Sequence, residues 1–238
     1  MFKIILLFYL IIYSVGSLKA EDNQHPLFFS LGSHCEIAAM CGHYGLRHAA
    51  GPLDWVLTLD YDRFLLLIEN DFEGFIDERF LTQYSDGHVI NSLYNIDFRH
   101  DWPDLDFAKQ LPEVQSRLGR RINRILELKQ YEGKVYFIRG AFDTNINPYL
   151  PTITKECTKI TAQDAQNIRD VLYRKYPKLD CTLIIINYEE ELGCDFDELE
   201  GVVEFKVAKL DRQKRQEDYK MIMEHLIAKT SLELGERN

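Results

Sequence analysis

A cysteine acts as a nucleophile through its thiolate. Two surroundings favour that form: a histidine within hydrogen-bond reach and the unpaired amides at a helix N-terminus. The spacing around Cys35 supplies the second. In FFSLGSHCEIAAMCGHYG, residues 28 to 45, the apolar run Leu27 to Leu31 is broken by Gly32. Ile37, Ala38, Cys41 and Tyr44 then recur at helical intervals. This predicts a strand, a tight turn and a helix, with Cys35 at the junction. In open α/β sheets, reactive groups gather at the carboxyl ends of strands, where the following helix presents free N–H groups. Those amides, together with Ser33, are candidates to hold an oxyanion.

The chain has seven histidines, and context ranks them as partners for the thiol. The side chain of His34, adjacent to Cys35, diverges from it, and His43 and His48 lie on the same unit. His100 ends a short strand in DFRHDWPD, where a loop can project it into a cleft. Two acids could orient its ring, Asp54 in GPLDW and Asp101 beside it; adjacent residues seldom face one another, which favours Asp54. Arg47 offers an anion contact, and Trp55 and Trp102 offer aromatic surfaces for a substrate. Each residue also has a plainer reading. Cys35 could be a small buried apolar side chain or half of a disulfide, His100 part of a solvated turn, Arg47 an ion-pair partner of Asp54 or Asp101, and the tryptophans core residues. A zinc site on Cys35 and His100 lacks CxxC or HxxxH spacing, so no metal is expected.

Alternating strand and helix signals must position these groups. A helix is expected from Thr58 to about Asn70, a short one near Asp77 to Gln83, and one or two short strands between Val89 and Phe98. An amphipathic helix follows over Glu113 to Gln130, carrying Val114, Leu118, Ile122 and Ile125 on one face. KVYFIR (134 to 139) and TLIIIN (182 to 187) read as buried strands, separated by a loop from Gly140 to Lys159 and by a helix opened by Thr161 and Asp164. A strand over Val202 to Val207 and a closing helix over Asp211 to Lys229 complete the pattern. The fold class that follows is α/β: a mostly parallel central sheet flanked by helices in three layers, α/β/α. No glycine-rich nucleotide fingerprint is present, and no cofactor is expected.

Residues 1 to 20 read as a signal peptide, with Lys3, an apolar run from Ile4 to Val15, and Leu18-Lys19-Ala20 before Glu21. The apolar run falls short of the roughly 20 residues that cross a bilayer, so cleavage and export, to a periplasm or the outside, are expected rather than a stable membrane span. Residues 21 to 238 would then form a single α/β domain. The net charge of −10 becomes more acidic when Lys3 and Lys19 leave, which argues against a nucleic-acid partner. Five cysteines in an exported chain leave at least one unpaired. Pairs among Cys157, Cys181 and Cys194 are open alternatives.

Over residues 27 to 145 the sequence resembles the family described as "putative papain-like cysteine peptidase". The resemblance rests on SLGSHC (30 to 35), YGLRHAAGPLDW (44 to 55), ENDFEGF (69 to 75) and FRHD (98 to 101), in the family's order. It implies Cys35 as nucleophile and His100 as general base, with Asp54 or Asp101 as orienter. The strand-to-helix setting also resembles serine-esterase-type hydrolases with sulfur in place of oxygen. The leading expectation is therefore a cysteine-dependent hydrolase or acyl transferase acting on a peptide, acyl or glycan-linked substrate. The alternatives are a non-catalytic carbohydrate- or anion-binding module around Arg47, Asp54, His100 and Trp102, and a structural disulfide at Cys35.

Overall fold

The structure is a computed structural model describing residues 26–85, 87–98, 100–102, 106–141, 159–189, 197–208 and 212–235. The expected signal peptide, Cys157, Cys194 and most of the expected loop after Gly140 lie outside them. The first unit is the one the spacing predicts: β1 (Leu27–Ser30), a turn, and α1 (Cys35–His43). Gly45 stops α1 at φ +73, a left-handed conformation that costs a residue without a Cβ little. Cys35 is therefore the first helical residue, and His34 is the N-cap.

Strand β1 pairs in parallel with β6 (Lys134–Gly140), and β6 with β7 (Asp180–Glu189). Strand β7 in turn pairs in parallel with β9 (Val202–Ala208). A short antiparallel strand, β8 (Asp197–Leu199), closes the sheet in the order β1-β6-β7-β9-β8. Its interior is Phe137, Ile138, Ile184, Ile186 and Phe205, all buried, and the centre of the sheet is apolar on both faces as parallel sheets require. Alternation along β6 and β7 separates the flanking helices. Arg139 stacks over Phe64 of α2 (Tyr61–Glu69), and Phe137 lies against Tyr176, just past α4 (Ala162–Lys175). The next residue, Gly140, faces the other way, toward Ile37 of α1. Tyr188 on that same face meets Tyr219 of α5 (Arg212–Gly235). Helices thus cover both faces, α1 and α5 on one and α2 and α4 on the other. Among the described residues, no helix is long and apolar enough to cross a membrane.

The expectation of one central sheet needs a correction. Residues 57 to 97 build a second, antiparallel sheet, β2 (Leu57–Thr58), β5 (Ile96–Asp97), β4 (Val89–Asn91) and β3 (Leu81–Gln83), in that order. Its strands are two or three residues long. The connections between β3, β4 and β5 are hairpin-sized, too short for a parallel crossover. The short helix expected near Asp77 to Gln83 is one 3-10 turn, Glu78–Phe80, feeding β3. Helix α3 (Phe107–Glu127) starts six residues earlier than its apolar spacing predicts. Asp106 caps it by accepting from the Lys109 amide, and Pro112 stands inside its second turn without ending it. The capping box predicted at Thr161 and Asp164 is present.

The junction between β7 and the approach to α4 depends on one side chain. Buried Asn187 accepts from the Ile160 amide at 2.9 Å, donates to the Ile160 carbonyl at 2.8 Å, and donates to Glu204. Asn187→Ala orphans both backbone groups of a buried residue, at a cost of about 2 kcal/mol. The urea midpoint is expected to fall with the slope unchanged.

Candidate functional site

The turn carrying Cys35 is tied to the sheet by hydrogen bonds that continue the β1–β6 ladder past the ends of the strands. The Leu31 amide donates to the Ile138 carbonyl at 2.8 Å, and the Gly140 amide to the Gly32 carbonyl at 3.3 Å. The hydroxyl of buried Ser33 donates to the Ala141 carbonyl at 3.1 Å. These contacts hold the half-buried Cys35 thiol at the carboxyl edge of the parallel strands, as expected. Among the described residues, Cys35, Cys41 and Cys181 are free thiols and no disulfide joins them.

The electrostatics differ from the expectation for a helix N-terminus. Burial pushes the Cys35 thiol up, its own backbone amide pulls it down, and the Glu36 carboxylate pushes it up again, with burial the largest effect. Desolvation disfavours the charged form more than the first amide stabilises it. The resting group is a thiol. The oxyanion candidates are also partly engaged: the Ser33 hydroxyl proton goes to Ala141, and the Glu36 amide donates to His34 Nδ1 at 3.2 Å.

The GPLDW segment and His100 form a neighbouring cluster. His100 is exposed and lies edge-on to Trp55, 6.2 Å between ring centroids. Arg47 covers the same indole at 5.4 Å. Three residues after Trp55, the Thr58 amide donates to the Ser33 carbonyl at 3.1 Å, and this joins the cluster to the Cys35 turn. No hydrogen bond links His100 to the sulfur.

Neither expected orienter reaches His100. Asp54 is buried and accepts from Arg47 at 3.1 Å and from the Gly51 amide at 3.0 Å. Burial still pushes its carboxyl up against these two partners. Asp101 is buried and turned toward α3, where Arg117 lies at 3.2 Å and Arg121 at 3.5 Å from one carboxylate oxygen. Arginine donates charge-assisted bonds in a forked geometry that a histidine edge cannot match. Trp102 is also corrected: it is buried, stacked on Phe107 and edge-on to Phe98, and belongs to the core rather than to a substrate rim. Arg47 is an ion-pair partner of Asp54, the plainer of its two readings. Among the described residues, no group of three or more His, Cys, Asp or Glu side chains could hold a metal ion.

Sequence reasoning missed the polar network around the Cys35 turn. Tyr188 Oη lies 2.9 Å from His34 Nε2, 3.0 Å from Glu36 and 2.6 Å from Tyr219 Oη. A signal for it existed, since Tyr188 directly follows TLIIIN and so stands at the carboxyl end of a buried strand, where functional groups collect.

The family model described as "putative papain-like cysteine peptidase" matches residues 26–191, from just before β1 to just past β7. The chain belongs to this family. The coarse class its description carries is that of a cysteine hydrolase. Uncharacterized protein R408 of Acanthamoeba polyphaga mimivirus is 27% identical over 146 residues, an alignment covering 52% of this chain and 65% of that protein. No solved structure matches the chain.

Burial ranks the three described thiols. Cys41 is pushed up to about 12 and Cys181 to about 11, desolvation being the largest cause in both. In the folded protein, iodoacetamide is expected to modify Cys35 and spare the other two. Its rate should climb with pH through a midpoint above the ordinary thiol value of about 8.5. Peptide mapping across a pH series checks both statements, and a midpoint below that value would contradict the dominance of burial.

Proposed function

We propose that the protein is a cysteine-dependent hydrolase acting on peptide substrates, with Cys35 as nucleophile and His100 as general base. One observation carries this reading: a half-buried thiol on the first residue of α1, at the carboxyl edge of the parallel sheet. Family membership supports the class, and the Thr58 to Ser33 bond supports a shared site by bringing the segment that bears Trp55 to the Cys35 turn. A nucleophile and its base are often long or misaligned without substrate and tighten when it binds.

Because burial keeps the resting sulfur protonated, the reaction starts from a thiol rather than a preformed ion pair. His100 takes the thiol proton as sulfur attacks the carbonyl carbon. The tetrahedral intermediate collapses with cleavage of the C–N bond, and the leaving amine takes the proton from the imidazolium. Water, deprotonated by the same ring, then hydrolyses the thioester. The Cys35 amide, on the first residue of α1, serves as an oxyanion donor. With Asp54 and Asp101 held by arginines, the edge-on contact with Trp55 takes over the orienting role. The anion-binding alternative loses its main cation, since Arg47 is committed to Asp54 and the Trp55 ring.

A peptidyl acyloxymethyl ketone is expected to label Cys35, and Cys35→Ser to abolish both labelling and peptide hydrolysis. His100→Ala should slow labelling by about 100-fold, a typical loss for a general base. Trp55→Leu should slow it by about 10-fold through lost orientation. Undiminished hydrolysis in Cys35→Ser, or undiminished labelling in His100→Ala, would remove this reading.

A further inference from the structure

The hydroxyl of Tyr188 touches the side chains on both sides of the cysteine, His34 before it and Glu36 after it, and it reaches them from a strand more than 150 positions away. His34 Nδ1 accepts from the Glu36 amide, so it carries a lone pair and the ring proton sits on Nε2. Nε2–H therefore donates to Tyr188 Oη. Glu36 Oε2 can only accept, and both phenols face it, Tyr188 at 3.0 Å and Tyr219 at 3.5 Å. The two hydroxyls share a bond across 2.6 Å in which either can donate.

From this geometry we propose that Tyr188 is a positioning residue for Cys35, gripping the turn on both flanks through one oxygen. The proposal rests on the reading of Cys35 as the nucleophile. On one flank, the grip holds the His34 ring facing inward as the helix cap. On the other, it holds the Glu36 carboxylate beside the sulfur, where it favours the thiol. Burial of both phenols pushes them well above their ordinary value, so they remain donors. Among the described residues, charged groups near this turn include Arg215 of α5, 5.4 Å over the Tyr188 ring, and Arg139 of β6, which reaches the Leu31 carbonyl from the opposite face.

The test is the pH profile of Cys35 alkylation by iodoacetamide in the full chain, for wild type, Glu36→Gln, Tyr188→Phe and the double variant. Glu36→Gln keeps an acceptor for Tyr188 and removes the charge, so the midpoint should fall. In Tyr188→Phe the carboxylate loses its shorter bond and keeps only the 3.5 Å contact from Tyr219, and the same Glu36→Gln change should move the midpoint by less than half as much. Tyr188→Phe alone should change the alkylation rate by about 10-fold or more, as the sulfur loses its fixed direction. Equal shifts from Glu36→Gln with and without the Tyr188 hydroxyl would overturn the proposal, since a purely structural tyrosine would not couple to that charge. Should Tyr188→Phe fail to fold, His34→Asn keeps a capping acceptor while losing the bond to Tyr188. The alkylation rate of Cys35 must then change by several-fold as one flank of the turn is released, and an unchanged rate overturns the proposal. These readouts do not depend on hydrolysis. Peptide turnover in Cys35→Ser would sink the enzymatic reading while leaving the coupling measurable, and loss of coupling would sink the grip alone.

Discussion

The site depends on the hydrogen-bond ladder between β1 and β6 running on past the ends of both strands. Leu31 to Ile138, Gly140 to Gly32 and Ser33 to Ala141 together turn a four-residue strand into a rigid lead for α1. The helix can sit this low on the sheet because Gly140 has no side chain. A Cβ there would come within 3.2 Å of Ile37, closer than packed carbons normally approach. The position of the sulfur is therefore set by backbone bonds and one close packing contact, before any polar side chain acts on it.

Two electrostatic effects compete at that sulfur, and their relative size decides its state. The helix N-terminus favours an anion, but only the first turn contributes. Removing the thiol from water works against the anion, and the nearby Glu36 carboxylate adds to the penalty. Burial wins, and the uncharged thiol is the favoured form. The same ranking explains the aspartates. A buried carboxylate is tolerated only with strong donors, and arginines from α3 and from the segment after α1 provide them for Asp101 and Asp54. His100 then stands on an indole edge.

The strand-to-helix junction, the long apolar strands and the capping box at Thr161 were legible because each is specified by neighbours a few residues apart. Where the deciding partner was distant, the sequence was silent. The arginines that claim Asp101 lie 16 and 20 positions later, on the far side of a turn. Tyr188 and His34 are 154 residues apart, and no periodicity could relate them. The apolar spacing placed the start of α3 too late, because its first turn is set by the Asp106 cap and continues through Pro112. The short strands expected between Val89 and Phe98 are present as β4 and β5, but β2 and β3 and the pairing of all four into a separate antiparallel sheet escaped, because strands of two or three residues carry almost no alternation to read.

Among the described residues, strand β1 lies at the margin of the large sheet, with one strand neighbour and four paired positions. β6 and β7 are held on both sides. Local opening is easiest where the fewest bonds must break together. The thiol hangs from the least-supported strand of the parallel set, so detachment of that margin would release the Cys35 turn while the apolar centre of the sheet remains intact.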